Sequence, residues 1–363
     1  MATGQTVPAA RPTRHTSPGD RTASTQWEDV GAALLGLWIV VAVFVDGRAH
    51  WLGLPDSFFT PWHGALYGGL TALGGWLVVM GWRRRTTSGP AAVFAPPRGY
   101  GWALTGAVVF AAGGAADMIW HEIFGIEAGI DALLSPSHLV LFAGAGMLLS
   151  GPVLAARAKE GNLPKTPLLP IVVAVLALSA VAAFALSFLS AFLTDSPLQA
   201  VGDFPEGTPE HVATESRAVA GLGSFVVTSL VIVLPLVYLR RTWRLPFGIV
   251  TAFVIAHATL ASIVVDFAFT GAWSIVAAAT AGLIADTALD IMRRSGLSSR
   301  VLTLATAAVI PTLLWSALML TLELTHGLQW SAELTGGVVV VSAMVSVVIT
   351  LLLDRRELVA ATR

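Results

Sequence analysis

The sequence predicts an all-α, polytopic integral membrane protein. Three observations carry this. The 363 residues are 55% hydrophobic and only 12% charged, where a soluble domain carries roughly 25% charged residues. The mean hydropathy is +0.76. The apolar residues fall into about ten runs near residues 29–49, 62–82, 99–124, 136–156, 167–193, 218–240, 246–267, 271–292, 301–325 and 333–353. Each is close to the ~20 residues that a helix needs to cross the hydrocarbon. Helices are the expected form because an open chain in lipid must satisfy its backbone polar groups internally.

Residues 1–27 are rich in Thr, Ser, Pro, Ala and Arg and have no apolar core. They read as a disordered tail and not as a secretory signal. The remaining chain divides into a duplicated four-helix region over 28–160, a six-helix region over 161–356 with a long polar loop near 194–217, and a short tail over 357–363.

Basic residues recur at every second connection: Arg83 to Arg85, Arg157 with Lys159, Arg240, Arg241 and Arg244, Arg293 and Arg294, and Arg355 with Arg356. The positive-inside rule places those connections and both termini in the cytoplasm of an inner-membrane protein. The alternate connections hold Asp56, Glu127, Asp131, Asp195, Asp203, Glu206, Glu210 and Glu215 and are expected outside. A net charge of −1 gives no reason to expect nucleic acid. The absence of cysteine excludes disulfides, thiolate metal sites and cysteine nucleophiles.

Within the first four helices one pattern occurs twice. Asp46 and His50 precede Thr60-Pro61-Trp62-His63, and Asp117 and His121 precede Ser135-Pro136-Ser137-His138. The shared form is D-x3-H followed by [ST]-P-x-H-x2-L-[YF]-x-G. The D-x3-H spacing puts both side chains on one helix face, one turn apart. In the second half, Ser or Thr suits an N-cap and Pro the first helical position, so each later histidine falls in the first turn of a returning helix. A short external turn then brings it back to the Asp/His pair. Two imidazoles and a carboxylate suit copper, zinc or iron. The alternative is a brace, in which the same groups hydrogen-bond helix to helix. His257, deep in the seventh segment, and Glu323 with His326, at the end of the ninth, are further candidate ligands or polar braces. Asp286 and Asp290 read as interfacial charges beside Arg293 and Arg294.

The order Asp46, His50, His63 resembles the Asp-x3-His-x12-His copper-ligand pattern in the membrane C subunit of particulate methane and ammonia monooxygenases. The match covers about eighteen residues, and the second copy has a longer loop. The resemblance implies a copper site facing a hydrophobic cavity, oxygen chemistry, and work beside other membrane subunits or a redox partner. This chain departs from that family in its larger number of helices, its second copy of the motif and its lack of an outer copper domain.

The functional expectation is a membrane metalloprotein with Asp46, His50, His63, Asp117, His121 and His138 as ligands. Copper is favoured, and the chemistry expected is oxidation of a small apolar or membrane-dissolved substrate. The rivals are a transporter for a metal ion or a proton-coupled solute, and a non-catalytic membrane subunit.

Overall fold

The computed structural model describes residues 23–55, 57, 59–84, 95–125, 129–159, 167–268 and 271–361, with side chains to Asp354. Residues 1–22 of the expected N-terminal tail, with Arg11, Arg14 and Arg21, and also Asp56, Arg85 and Glu127 lie outside the described residues, whereas residues 26–27 of that tail and 357–361 of the expected C-terminal tail are helical.

The protein is an all-α polytopic membrane protein. Its helices are α1 (Gln26–Trp51), α2 (Pro61–Trp82), α3 (Gly101–Phe124), a short α4 (Ile130–Leu134), α5 (Pro136–Leu149), α6 (Gly151–Ala158), α7 (Leu168–Ala185), α8 (Pro209–Thr242), α9 (Ile249–Val264), α10 (Gly271–Arg294), α11 (Ser299–His326) and α12 (Ala332–Ala361). Nine spans among the described residues are long and apolar enough to cross a bilayer, α5 and α6 counting as one; α9, with 16 residues, is shorter.

Local signals set these boundaries. Thr25 and Glu28 form a reciprocal capping box at the start of α1. Pro61 and Pro136 occupy the first turns of α2 and α5. Ser135 caps α5 by accepting from the backbone N–H of His138. Thr60, expected to do the same for α2, makes no such bond, and its hydroxyl is buried without a partner among the described residues. The break between α5 and α6 comes at Ser150-Gly151-Pro152, where proline removes a helical donor.

Two other boundaries depart from the hydropathy reading. The fifth run stops being α-helical at Ala185 and continues through a 3-10 turn, Ser187–Leu189. The loop expected to reach residue 217 instead becomes helix at Pro209, because Thr208 accepts from the N–H of His211 and proline fits the first turn.

Helices α1 and α2 form one antiparallel hairpin, and α3 with α5 forms the other. The second is closely packed at glycine. A Cβ on Gly106 would lie 2.3 Å from the backbone nitrogen of Leu148, and one on Gly144 would lie 2.5 Å from that of Phe110. The hairpins meet through α2 with α3 and α1 with α5. Helix α7 lies against α1 and α5 on one side and α8 on the other. Accordingly Ala177, Ala180, Val181 and Phe184 of α7 join the core of the first helices, whereas Ile171, Val172, Ala174 and Val175 join the core of α8 to α12.

The helix ends opposite the two motifs carry a buried ionic layer. Glu28 pairs with Arg84, and Trp76 Nε1 donates to the Glu28 carbonyl. Asp29 accepts from Lys159 Nζ at 2.7 Å and from the Tyr100 hydroxyl at 2.8 Å. These contacts tie α1 to α2, to the start of α3 and to the end of α6.

Candidate metal centre

The first motif spans the end of α1, a short turn and the first turn of α2. The helical i to i+4 spacing puts His50 Nε2 3.8 Å from Asp46 Oδ1. The turn returns His63, whose Nε2 lies 3.2 Å from the same oxygen. One ligand atom from each of these three residues falls within 4.8 Å of the other two. Ligands that each lie about 2 Å from one ion stand roughly 3–4 Å apart, so the spacing suits a single cation.

The hydrogen bonds around this group point the same way. His63 Nδ1 is 2.9 Å from the Ser57 carbonyl oxygen, which can only accept. The ring therefore carries its proton on Nδ1, and in the neutral form Nε2 presents a lone pair. That lone pair faces Asp46 Oδ1, a buried oxygen without a hydrogen-bond partner among the described residues. Two electron-rich atoms at this separation repel unless a positive species lies between them. Fixing the far nitrogen of a ligating histidine on a backbone carbonyl is also the usual outer-shell arrangement of a metal site. The three residues thus fit a nitrogen- and oxygen-bound transition metal.

The second motif has the same helices and a different wiring. Asp117 Oδ1 is 3.6 Å from His121 Nε2 and 3.4 Å from His138 Nδ1. These three do not meet the mutual-distance condition that the first group meets. Instead Ser137 Oγ donates to Asp117 Oδ1 at 2.7 Å, Ser135 Oγ is 2.7 Å from His138 Nδ1, and the two hydroxyls are 3.1 Å apart. His121 Nε2 is buried without a hydrogen-bond partner among the described residues. The two motifs are electrostatic neighbours, since Asp46 and His50 act on His138 together with Asp117 and His121. The rings of Phe142, Phe184 and Phe44 extend from His138 into the core: His138–Phe142, Phe142–Phe184 and Phe44–Phe184 centroids are 6.4, 6.3 and 5.1 Å apart.

The other candidate residues stand elsewhere. His257 is buried, donates from Nδ1 to the Phe253 carbonyl and meets Ser179 Oγ with Nε2. Both ring nitrogens are engaged, and the ring borders a small cavity also lined by Phe44, Leu186, Ser190 and Thr228. Glu323 accepts from the N–H of Leu328, and His326 Nδ1 meets the Thr325 hydroxyl, both at the end of α11. Neither belongs to the Asp46 group.

Sequence reasoning missed three contacts, two of them beside the first motif. Arg48, inside the first motif, pairs with Asp266 at the end of α9. The Ser57 carbonyl is a backbone group and leaves no side-chain signal. Asp286, read as an interfacial charge, is buried and accepts from both the backbone N–H and the hydroxyl of Thr251. It serves the first turn of α9, whose N-cap, Gly248, has no side chain to offer. Asp290 does pair with Arg293 and Arg294.

Comparison with family models, with curated proteins and with solved structures finds no match to this chain.

Proposed function

We propose that this protein is a membrane metalloprotein whose Asp46, His50 and His63 bind a transition metal at the extracytoplasmic ends of α1 and α2. The observation that carries the reading is the buried Asp46 Oδ1, without a hydrogen-bond partner among the described residues, facing two imidazole nitrogens. Copper is the favoured ion, since an imidazole and carboxylate set follows the general affinity order that peaks at Cu(II). Zinc and iron fit the same donors. The basic helix ends, with Arg84, Lys159, Arg241, Arg293 and Arg294, lie in the cytoplasm by the positive-inside rule, and both termini with them.

Bound copper would supply one-electron redox chemistry and a Lewis-acidic position. The protein supplies the rest. The Ser57 carbonyl fixes the tautomer and orientation of His63. The one-turn spacing of Asp46 and His50 sets two donors on a rigid helix end. The Phe142, Phe184 and Phe44 rings, which follow one another from His138, offer apolar surface that suits a small apolar or membrane-dissolved molecule. We assign oxidation of such a molecule as the activity, with the bilayer and further membrane subunits or a redox partner as its setting.

The test is metal analysis of protein purified in detergent. A stoichiometric transition metal, lost in His50→Ala and in His63→Ala with folding retained, supports the proposal. Wild-type protein that binds no copper, zinc or iron on titration overturns it.

A further inference from the structure

At the helix ends opposite the two motifs, several cations have a carboxylate beside them. Arg84 has Glu28, Lys159 has Asp29, Arg241 and Arg300 share Asp354, and Arg293 and Arg294 share Asp290. Arg157 is different. It is exposed in the last turn of α6, and among the described residues it has no ion pair and no hydrogen bond. Its guanidinium carbon lies over the Tyr238 ring of α8, 5.0 Å from the centroid. A cation–π contact places the charge but gives no acceptor atom to its five N–H donors.

Tyr238 is in the same condition. The buried Trp243 packs edge-on against its ring, with centroids 6.1 Å apart, and holds it in place. Its hydroxyl is buried and has no hydrogen-bond partner among the described residues, which is uncommon for a buried polar atom. A guanidinium that cannot shed its proton and an unspent phenol O–H thus stand together. What the pair lacks is an anion with more than one acceptor oxygen.

We propose that Arg157 and Tyr238 hold a phosphate group, and that its carrier is an anionic phospholipid of the leaflet on this face. One phosphate oxygen accepts from the guanidinium and another from the phenol, and the charges are opposite. The position favours a lipid over a dissolved ion. Tyr238 lies within the apolar span of α8, and Arg157 within that of α5 and α6, at the level where headgroups already reside. Helix α7 packs against both α6 and α8, and its Leu169 is 64% exposed, offering apolar surface to an acyl chain. Arg157, exposed and held by the ring contact, can swing to admit the headgroup to the buried hydroxyl. The site is independent of the metal centre.

The test is native mass spectrometry of the full-length protein, stripped of lipid in detergent and titrated with phosphatidylglycerol, with phosphatidylcholine or with inorganic phosphate. Wild type is expected to prefer phosphatidylglycerol. Arg157→Gln should weaken that binding about fivefold. Tyr238→Phe keeps the ring and the fold, and should weaken it about tenfold, as loss of a hydrogen bond to a charged group does. Phosphatidylcholine binding should be unchanged in both variants. Phosphatidylglycerol bound as tightly by either variant as by wild type overturns the proposal, as does a wild type with no preference for it. Inorganic phosphate bound through Arg157, without phosphatidylglycerol binding, overturns the lipid as carrier.

Discussion

Arg48 Nη2 lies 2.8 Å from Asp266 Oδ1, joining the motif-bearing end of α1 to the turn that follows α9. Asp266 and Phe267 are consecutive non-glycine residues in the left-handed region, at φ 51° and 59°. The Ala268 N–H bonds the Val265 carbonyl across them, closing a tight turn. Backbone of this kind is costly for a residue with a Cβ.

Phe267→Gly is therefore expected to stabilise the protein. Left-handed strain of roughly 1–2 kcal/mol per residue is released, set against a smaller entropic cost of glycine in the unfolded chain. Phe267 is about half exposed, so little packing is lost. A thermal melt in detergent should rise. Arg48→Ala should change it little, because both partners of that pair are largely solvent-accessible and such pairs contribute about 0–1 kcal/mol.

The buried ionic layer predicts a larger effect. Arg84→Ala leaves Glu28, whose side chain is 7% exposed, without its counter-charge. A stranded buried charge costs about 3–5 kcal/mol, so this variant should melt well below wild type or fail to accumulate in the membrane. Arg293→Ala, at an exposed pair, is the contrast and should melt within about 1 kcal/mol of wild type.

Gly106→Ala and Gly144→Ala should each destabilise the α3–α5 hairpin by about 1–3 kcal/mol or more. The added methyl meets backbone atoms that cannot rotate away. Gly75→Ala, where no described atom outside its own helix backbone lies within 4 Å, should be neutral or slightly stabilising by helix propensity. Comparing melting temperatures of the three variants checks this.

Asp46→Asn and Asp117→Asn separate the two motif copies. The first removes the anionic donor of the proposed metal site and should weaken copper or zinc binding at least 100-fold in a chelator competition. The second should leave that affinity within a few-fold of wild type.

The fold was largely legible because long apolar runs have few structural solutions in lipid. The pairing of D-x3-H with [ST]-P-x-H was legible as well, since helical spacing and a short turn leave little freedom in where His63 can go. The unequal chemistry of the copies was harder to see. It depends on Ser137 against Trp62, a position that the shared pattern treats as arbitrary. Asp286 was misread because an interfacial acid and a cap for a distant helix look alike until α9 and α10 are placed side by side. The early end of α7 at Ala185 escaped because hydropathy continues through Leu193 while helical backbone does not.

Helix α7 belongs to two interiors at once, its early residues to one and its later residues to the other. Neither half of the molecule can be lifted out whole, for whichever fragment lacks this helix shows a raw hydrophobic wall. A chain severed ahead of Leu168 would have to dock that wall again before the first four helices could close around their histidines. Biogenesis of the site should therefore await insertion of α7, even though none of the six duplicated Asp and His residues lies on it.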